Sequence, residues 1–278
     1  MKPLSLLLLC VSVLFFTLNF INYNINEDHG RVIIHEKFDP KLIRLNTLNK
    51  LINYVDSTCD VKQIKQGTLE YAIEAKNAVS ERFYHKYAAF NLNENWIAAV
   101  LEKFSWIYFS SRVKADDILI KAYALCSQQT DVLMELLESK HFDCRAVYFP
   151  GHYVMQCSVN GKWNYFDPDL EPQILPEQRS NQKWVFNHDS LAIAYAKQTR
   201  TNPNFIDLAF GNPVNIGYGK INAVQAPYTG LFQAATKPLS KIAFLFPLLL
   251  FVYTKRKKVQ IKDTVIQITM NDEYYLVA

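Results

Sequence analysis

The sequence GHYVMQCSVNGKWNYFDPD, from Gly151 to Asp169, predicts two alternating strands joined by Asn160-Gly161. Asn-Gly is a strong hairpin signal because both residues tolerate the positive φ of a type I′ turn. One arm carries His152 near its start, and the other ends at Asp167 and Asp169. An imidazole that is held by a carboxylate can take a proton from a nucleophile. This hairpin could therefore supply the base of a catalytic site.

The two-residue loop at Asn160-Gly161 fixes which residues of the two arms lie opposite each other. In that register His152 lies opposite Asp169, and the alternation of side chains places both carboxylates on the histidine's face of the sheet. Asp167 is the diagonal neighbour of His152, at a Cβ separation of about 7 Å that the two side chains can close. Because Pro168 lacks the amide that would extend the ladder, we prefer Asp167 and keep Asp169 as the alternative.

Cys126 is the best candidate for the nucleophile that such a base would activate. An apolar stripe at helical spacing follows it between Val132 and Leu137, so the cysteine lies at or near the start of a helix. The positive end of a helix dipole and a nearby imidazolium both favour a thiolate. The sequence therefore predicts a catalytic site formed by Cys126, His152 and Asp167, in that chain order.

The segment LCSQQTDVLMELLESKHFDCRAVYFPGHYVMQCSVNGKWNYFDPD, which contains all three residues, resembles the core of the transglutaminase-like superfamily. The family pattern is a cysteine that opens a helix, an Arg-x-Val strand, a Gly-His strand, a Gly-Lys-Trp turn and an Asp-Pro ending. In this chain the corresponding residues are Cys126, Arg145 to Val147, Gly151-His152, Gly161 to Trp163 and Asp167-Pro168. The chain departs from the pattern at Ala124-Leu125, where a glycine is usual, and at Val154, where an aromatic residue is usual.

This resemblance implies an α+β fold with a papain-like core, in which helices pack on an antiparallel sheet. It also implies that Cys126, His152 and Asp167 form a triad that attacks an amide of a peptide or protein and passes through a thioester. Water as the acceptor would make the chain a protease or amidase, and a primary amine would make it an acyltransferase. A non-catalytic peptide-binding module of the same fold is the alternative function.

Apolar segments near both ends predict attachment to a membrane. Residues 4–21 carry no charge and approach the roughly 20 residues that span a bilayer. No A-x-A-like cleavage site follows them, so we interpret residues 1–25 as an uncleaved anchor. A second apolar stretch, residues 242–253, predicts a transmembrane segment over residues 231–254. Its short length and Pro247 leave a buried or interfacial helix as the alternative.

The distribution of charge around these segments predicts an orientation in the membrane. The basic run Lys255-Arg256-Lys257-Lys258 follows the second segment, which favours a cytoplasmic tail over residues 255–278. The transglutaminase-like domain, residues 26–230, would then lie outside the cytoplasm, in the periplasm if the source is bacterial. Compartment matters for the cysteines, because disulfides persist where the surroundings are oxidising.

The composition of the chain argues against several other classes of function. Its 278 residues, 50% of them hydrophobic, can form one domain with appended segments. The net charge of +4 is modest and most lysines and arginines are scattered, so we predict no nucleic-acid binding. The remaining histidines have no metal-ligand spacing with cysteines or carboxylates. We therefore predict no metal and no cofactor, and the oligomeric state stays open.

Cys144 and Cys157 are expected to lie close together on the sheet. If Pro150-Gly151 is a two-residue loop, the two cysteines face each other directly, on the face opposite His152. Their Cα separation would then fall within the range that a disulfide accepts. A cross-strand disulfide and two unpaired apolar cysteines are both compatible with this placement.

Overall fold

A computed structural model describes residues 3–26, 37–105, 107–181, 188–197, 203–210 and 216–256. The proposed cytoplasmic tail lies outside the described residues except for its first two positions. The chain divides into two compact units. The central unit contains residues 27–89 and 111–230, and the terminal unit contains residues 1–26, 90–110 and 231–278. Residues 90–110, which we expected inside the central domain, therefore group with the two ends of the chain.

Helices and strands alternate irregularly along the chain. The helices are α1 (Pro3–Leu18), α2 (Leu48–Val61), α3 (Leu69–Arg82), α4 (Leu92–Lys103), α5 (Ala115–Leu119), α6 (Cys126–Ser139), α7 (Pro176–Arg179), α8 (His188–Ala196), α9 (Pro203–Phe210), α10 (Pro227–Ile242) and α11 (Leu245–Arg256). The strands are β1 (Tyr84–His85), β2 (Tyr123–Ala124), β3 (Cys144–Phe149), β4 (His152–Val159), β5 (Lys162–Phe166) and β6 (Gly217–Tyr218). A 3-10 helix spans Pro40–Arg44. The predicted α+β class is confirmed.

The main sheet is antiparallel and has the strand order β5-β4-β3-β6. Asn160 and Gly161 both have positive φ, 50° and 74°, as a type I′ turn requires, and they join β4 to β5. Pro150-Gly151 joins β3 to β4, and Gly151 has a φ of 71° that a residue with a Cβ rarely adopts. The predicted hairpin at Asn160-Gly161 and the antiparallel pairing across Pro150-Gly151 are confirmed, whereas the fourth strand, β6, was not expected from the sequence.

Helix α6 packs against the sheet through the apolar stripe that the sequence predicts. Val132, Leu133, Leu136 and Leu137 are fully buried in one cluster with Ala146 of β3 and Met155 of β4. Helices α2 and α3 contribute to the same cluster. This packing fixes the N-terminus of α6 relative to the start of β4.

Cys144 and Cys157 lie opposite each other in β3 and β4, so the predicted register is confirmed. Both are buried thiols in the structure. A hydrogen bond with Cys157, together with burial, raises the pKa of Cys144 far above its ordinary value. The disulfide itself stays a prediction for protein taken from an oxidising compartment.

The sequence from Val61 to Tyr87 predicts one helix, and that prediction is wrong in its bounds. Helix α2 ends at Val61, and the chain then passes through Gly67, whose φ is 83°, before Thr68 caps α3. The hydroxyl of Thr68 accepts a hydrogen bond from the backbone N–H of Tyr71 at 3.3 Å, as an N-cap does. Beyond α3, strand β1 pairs in parallel with β2, and His85 lies beside Ala124 in that pair.

After residue 198 the sequence becomes rich in asparagine, proline and glycine, which predicts irregular chain. That prediction is wrong for Pro203–Phe210, which forms helix α9. Proline suits the first turn of a helix, and Ile206, Ala209 and Phe210 then form a buried stripe at helical spacing. Together with α8, this helix covers a second apolar cluster that includes Val154 of β4 and Tyr165 of β5.

In the terminal unit, α1, α4, α10 and α11 pack together. The indole N–H of Trp96 donates to the carbonyl of Ser240 at 2.9 Å, and the Ser12 hydroxyl donates to the carbonyl of Phe244 at 2.8 Å. Among the described residues no single helix has both the length and the apolar character needed to cross a bilayer. Helices α10 and α11, which are bent by 43° relative to each other, meet that requirement as a pair.

Candidate active site

The structure brings Cys126, His152 and Asp167 together in the central unit. Cys126 is the first residue of α6 and is partly exposed, and its thiol interacts with the imidazole of His152. His152 is the first residue of β4 and is 4% exposed. Its Nε2 lies 2.7 Å from Oδ2 of Asp167. Since Nε2 is paired with the carboxylate, Nδ1 is the ring nitrogen left for the thiol.

Asp167 reaches His152 because it lies just beyond the end of β5. The β4-β5 ladder ends at the pair Met155 and Phe166, so the aspartate leaves the strand and turns its side chain toward the start of β4. Its Oδ1 accepts hydrogen bonds from the backbone N–H groups of Asp169 and Leu170, at 3.0 and 3.1 Å. These two bonds fix the carboxylate.

The pair of His152 and Asp167 favours its ionised form despite complete burial. Burial by itself would lower the pKa of His152, but the Asp167 carboxylate and the hydrogen bonds to Asp167 and Cys126 raise it well above its ordinary value. Burial would raise the pKa of Asp167, but His152 and the hydrogen bond from Tyr195 lower it to about 2. The imidazolium is therefore available to stabilise a thiolate at Cys126.

Tyr195 and Phe210 are site residues that the sequence did not identify. The Tyr195 hydroxyl donates to Oδ2 of Asp167 at 2.5 Å and lies 2.7 Å from the hydroxyl of Tyr165. The Tyr195 and Phe210 rings stack at 4.5 Å, and each lies edge-on to the His152 ring with centroids 6.2 Å apart. The helical pattern near residues 190–198 predicts α8, but it does not indicate which side chain reaches the aspartate.

The loop after Asp167 is held by a buried ionic cluster. Glu171 accepts the backbone N–H of Asp167 at 3.1 Å and pairs with Lys76 and Arg179, at 2.8 and 2.7 Å. Burial would raise the pKa of Glu171, but Lys76 and Arg179 lower it below its ordinary value. The Ser80 hydroxyl donates to the carbonyl of Pro168 at 2.6 Å. Helices α3 and α7 therefore position the carboxylate that orients His152.

Asp169, the alternative partner, does not pair with His152. Its Oδ2 lies 2.7 Å from Nδ1 of His85, and its Oδ1 accepts a hydrogen bond from the Gln129 side chain at 2.9 Å. The Gln129 amide also donates to the carbonyl of Ala124 at 3.0 Å. Gln129 lies three residues after Cys126, so Asp169 and His85 belong to the surroundings of the thiol.

Two further features bear on what the site can do. As the first residue of α6, Cys126 has a backbone N–H with no acceptor inside the helix, which suits an oxyanion donor. Of the residues at which the chain departs from the transglutaminase-like pattern, Ala124 and Val154 are fully buried and Leu125 is partly exposed. Val154 belongs to the cluster beneath α8 and α9. Among the described residues, no group of three or more histidine, cysteine or acidic side chains is arranged to hold a metal ion.

No family model, no curated protein and no solved structure matches this chain. The functional interpretation therefore rests on the residues and contacts described above.

Proposed function

We propose that this chain is a membrane-anchored, extracytoplasmic cysteine enzyme of the transglutaminase-like type, with a papain-like core. It acts on amide bonds of a peptide or protein through a thioester intermediate. The observation that carries the proposal is the placement of the Cys126 thiol beside the imidazole of His152, whose Nε2 pairs with Asp167 at 2.7 Å. A nucleophile, a base and an orienting group in that order are the components of a catalytic triad.

The arrangement supports a defined sequence of proton transfers. His152 takes the proton of Cys126, and Sγ then attacks the amide carbonyl carbon to form a C–S bond. The backbone N–H of Cys126 stabilises the oxyanion. His152 gives its proton to the leaving nitrogen as the C–N bond breaks, which releases an amine and leaves a thioester. Water or a primary amine, deprotonated by His152, then attacks the thioester and regenerates the thiol.

The surroundings of Asp167 support catalysis rather than packing alone. A buried carboxylic acid without a charged partner would stay protonated, because burial penalises the ionised form. The depressed pKa of Asp167 keeps it ionised, and only an ionised carboxylate can stabilise the imidazolium that each step needs. The hydrogen bond from Tyr195 adds to that effect.

The exposed apolar side chains of the terminal unit support membrane attachment. Leu7 and Leu14 of α1 are 58% and 55% exposed, and Phe246 and Leu249 of α11 are 71% and 66% exposed. Exposed apolar side chains of this number are costly in water and favourable in lipid. The hydrogen bond from Ser12 to Phe244 joins the two proposed membrane segments.

The enzymatic proposal can be tested on the full chain in detergent with iodoacetamide as the probe. A thiolate paired with an imidazolium reacts at about pH 6, where a free thiol of ordinary pKa near 8.5 is protonated. We expect fast labelling of Cys126 at that pH and slow labelling after His152→Ala. Labelling of Cys126 that rises only near pH 8.5, unchanged by His152→Ala, would favour the non-catalytic peptide-binding module.

The proposed topology can be tested with reporter fusions. Reporters placed after His29 and after Lys258 should lie on opposite sides of the membrane, because one further span separates them. If both reporters lie outside the cytoplasm, residues 231–254 do not span and a single anchor remains. This result would also establish the redox surroundings of Cys144 and Cys157.

A further inference from the structure

A cavity of the central unit, of about 340 Å³, lies along α6 away from the thiol. Asp131, which lines it, follows Cys126 by five residues and so lies about 140° around the helix from it. The charged residues lining the cavity come from α6 and from the residues at and before the start of α5; they are Lys114, Asp116, Asp131, Glu135 and Glu138. The wall therefore carries four carboxyl groups and one amine.

Two of these carboxyl groups lack the hydrogen bonds that burial normally requires. Asp131 is 8% exposed, and its Oδ1 has no hydrogen-bond partner among the described residues. The same holds for Oε1 of Glu138. Buried polar atoms in folded proteins are almost always paired, because an unpaired acceptor loses its bonds to water without replacement. The cavity therefore presents two carboxyl oxygens, Asp131 Oδ1 and Glu138 Oε1, that could accept hydrogen bonds from a bound molecule.

The other charged groups around the cavity do not neutralise Asp131. Glu135 accepts the backbone N–H of Ala115 at 3.1 Å, and Asp116 accepts that of Leu48 at 2.7 Å. The field of Lys114 acts on Glu135, whereas the charges that act on Asp131 are those of Glu135 and Glu138. A cation in the cavity would therefore be attracted by these carboxyl groups when they are ionised.

We propose that this cavity binds a primary alkylammonium ion. An ammonium group has three donors and no acceptor, which matches the two unpaired carboxylate oxygens. The cavity volume lies in the range of small-molecule sites. Met134 and Val224 also line it and would contact an alkyl chain, which favours an organic cation over a hydrated metal ion.

Binding of an ammonium ion in the cavity depends on whether the carboxyl groups of Asp131 and Glu138 are ionised. Burial raises the pKa of Asp131 well above its ordinary value, and burial together with Glu135 raises the pKa of Glu138 to about 7. Tyr153 of β4 also faces Asp131, whose charge contributes to raising the pKa of the tyrosine. An ammonium ion binds the ionised carboxylates, so binding releases protons and tightens as pH rises through the range near 7 in which Glu138 ionises.

The test is calorimetric titration of the full chain in detergent with 1,5-diaminopentane at about pH 8 and about pH 6, with 1-pentanol as the uncharged control. We expect saturable binding of the diamine, tighter at the higher pH, and none of the alcohol. Asp131→Asn and Glu138→Gln should each weaken binding by about tenfold or more, since each removes a charged acceptor. Asp60→Asn, at an exposed position of α2, is the matched control and should bind like the wild type.

Several outcomes would overturn the proposal. They are the absence of saturable binding in the wild type, equal binding of the alcohol, or undiminished affinity in both cavity variants. Tighter binding of calcium chloride, with displacement of the diamine, would show an inorganic cation site instead. Because Asp131→Asn and Glu138→Gln are tested separately, the experiment still gives an answer if one variant does not fold. Binding should persist in Cys126→Ala, so the result is independent of the proposed catalysis.

Discussion

The two histidine–aspartate pairs of the central unit use the same chemical groups in different surroundings. In the pair of His152 and Asp167 the side chains are 1% and 0% exposed, and the imidazole contacts a thiol. In the pair of His85 and Asp169 the histidine side chain is 30% exposed, and the aspartate also holds the amide of Gln129. The aspartates are two residues apart, yet they face different histidines.

The difference shows that burial and the third partner decide what such a pair can do. Removal from water strengthens the attraction between imidazolium and carboxylate. That attraction raises the pKa of His152 and lowers the pKa of Asp167, against the direct effect of burial on each group. The pair of His85 and Asp169 has water on one side and ties β1 to α6 through Gln129. We therefore expect the first pair to control reactivity and the second to position the N-terminal turn of α6.

The largest expected effect is the loss of the thiol. Cys126→Ala should abolish acyl transfer, measured as formation of a hydroxamate from a glutamine-containing peptide with hydroxylamine as the acceptor. The fold should be nearly unchanged, because only a sulfur is lost at a partly exposed helix start. The matched control is Cys10→Ala, at an exposed position of α1, which should keep full activity. Full activity in Cys126→Ala would disprove the mechanism.

Asp167→Asn should cause the next largest effect. The amide preserves the shape but cannot stabilise an imidazolium and favours the wrong tautomer, so kcat should fall by about 10²- to 10⁴-fold. Asp169→Asn serves as the control within the same loop. A larger loss in Asp169→Asn than in Asp167→Asn would reverse the assignment of the two pairs.

The pH dependence should separate the two pairs as well. The pKa of His152 is raised in the folded chain, so the imidazolium contributes stability and reactivity below its unfolded pKa and loses them as pH rises through the folded value. The pKa of Asp167 is lowered to about 2, so its contribution holds above its ordinary pKa and is lost as pH falls toward 2.

We therefore expect activity to fall at high pH as His152 loses its proton, which gives the alkaline limb of the pH profile. Asp167→Asn should move that limb to lower pH, whereas Asp169→Asn should leave it in place. A profile in which both variants shift the limb equally would mean that both aspartates act on His152.

Local sequence signals were enough to predict the centre of the site. The Asn160-Gly161 turn fixes the register of β4 and β5, and the alternation of side chains then places His152 and Asp167 on one face. The apolar stripe of α6 predicts a helix that begins at or near Cys126, and α6 begins at that residue. These signals come from residues close in sequence, so no knowledge of the tertiary structure is needed to use them.

The rest of the site depends on contacts between distant segments. His85 lies on a two-residue strand that has too few residues for a pattern, and it meets Asp169 only because β1 pairs with β2. Tyr195 reaches Asp167 from α8 across 28 positions of the chain. Phe210 lies on α9, within a stretch whose asparagine and proline content favours irregular chain over a helix. No periodicity indicates which aromatic residue of such a segment will cover a histidine.

Asp169→Asn is expected to affect stability more than chemistry. Asparagine can still accept from Gln129, but it no longer pairs its charge with His85, so the variant should be destabilised by about 1–3 kcal/mol. Chemical unfolding followed by circular dichroism measures this change, and kcat in the folded protein should fall by less than about tenfold. A loss of kcat beyond 10²-fold with stability unchanged would instead assign His85 a direct part in catalysis.

The smallest expected effect concerns the hydroxyl of Tyr195. Tyr195→Phe keeps the ring that stacks on Phe210 and removes only the hydrogen bond to Asp167. That bond lowers the pKa of Asp167, so its loss should raise the pKa of this carboxyl group toward its ordinary value. Because His152 and two backbone N–H groups still hold the carboxylate, we expect kcat to fall by about two- to tenfold.

The matched control is Tyr165→Phe, which leaves the hydrogen bond from Tyr195 to Asp167 intact. Its kcat should fall by less than that of Tyr195→Phe. The pH dependence of kcat measures this role. If the pH below which kcat falls is higher in Tyr195→Phe but unchanged in Tyr165→Phe, the role is supported, and equal shifts in both variants would refute it.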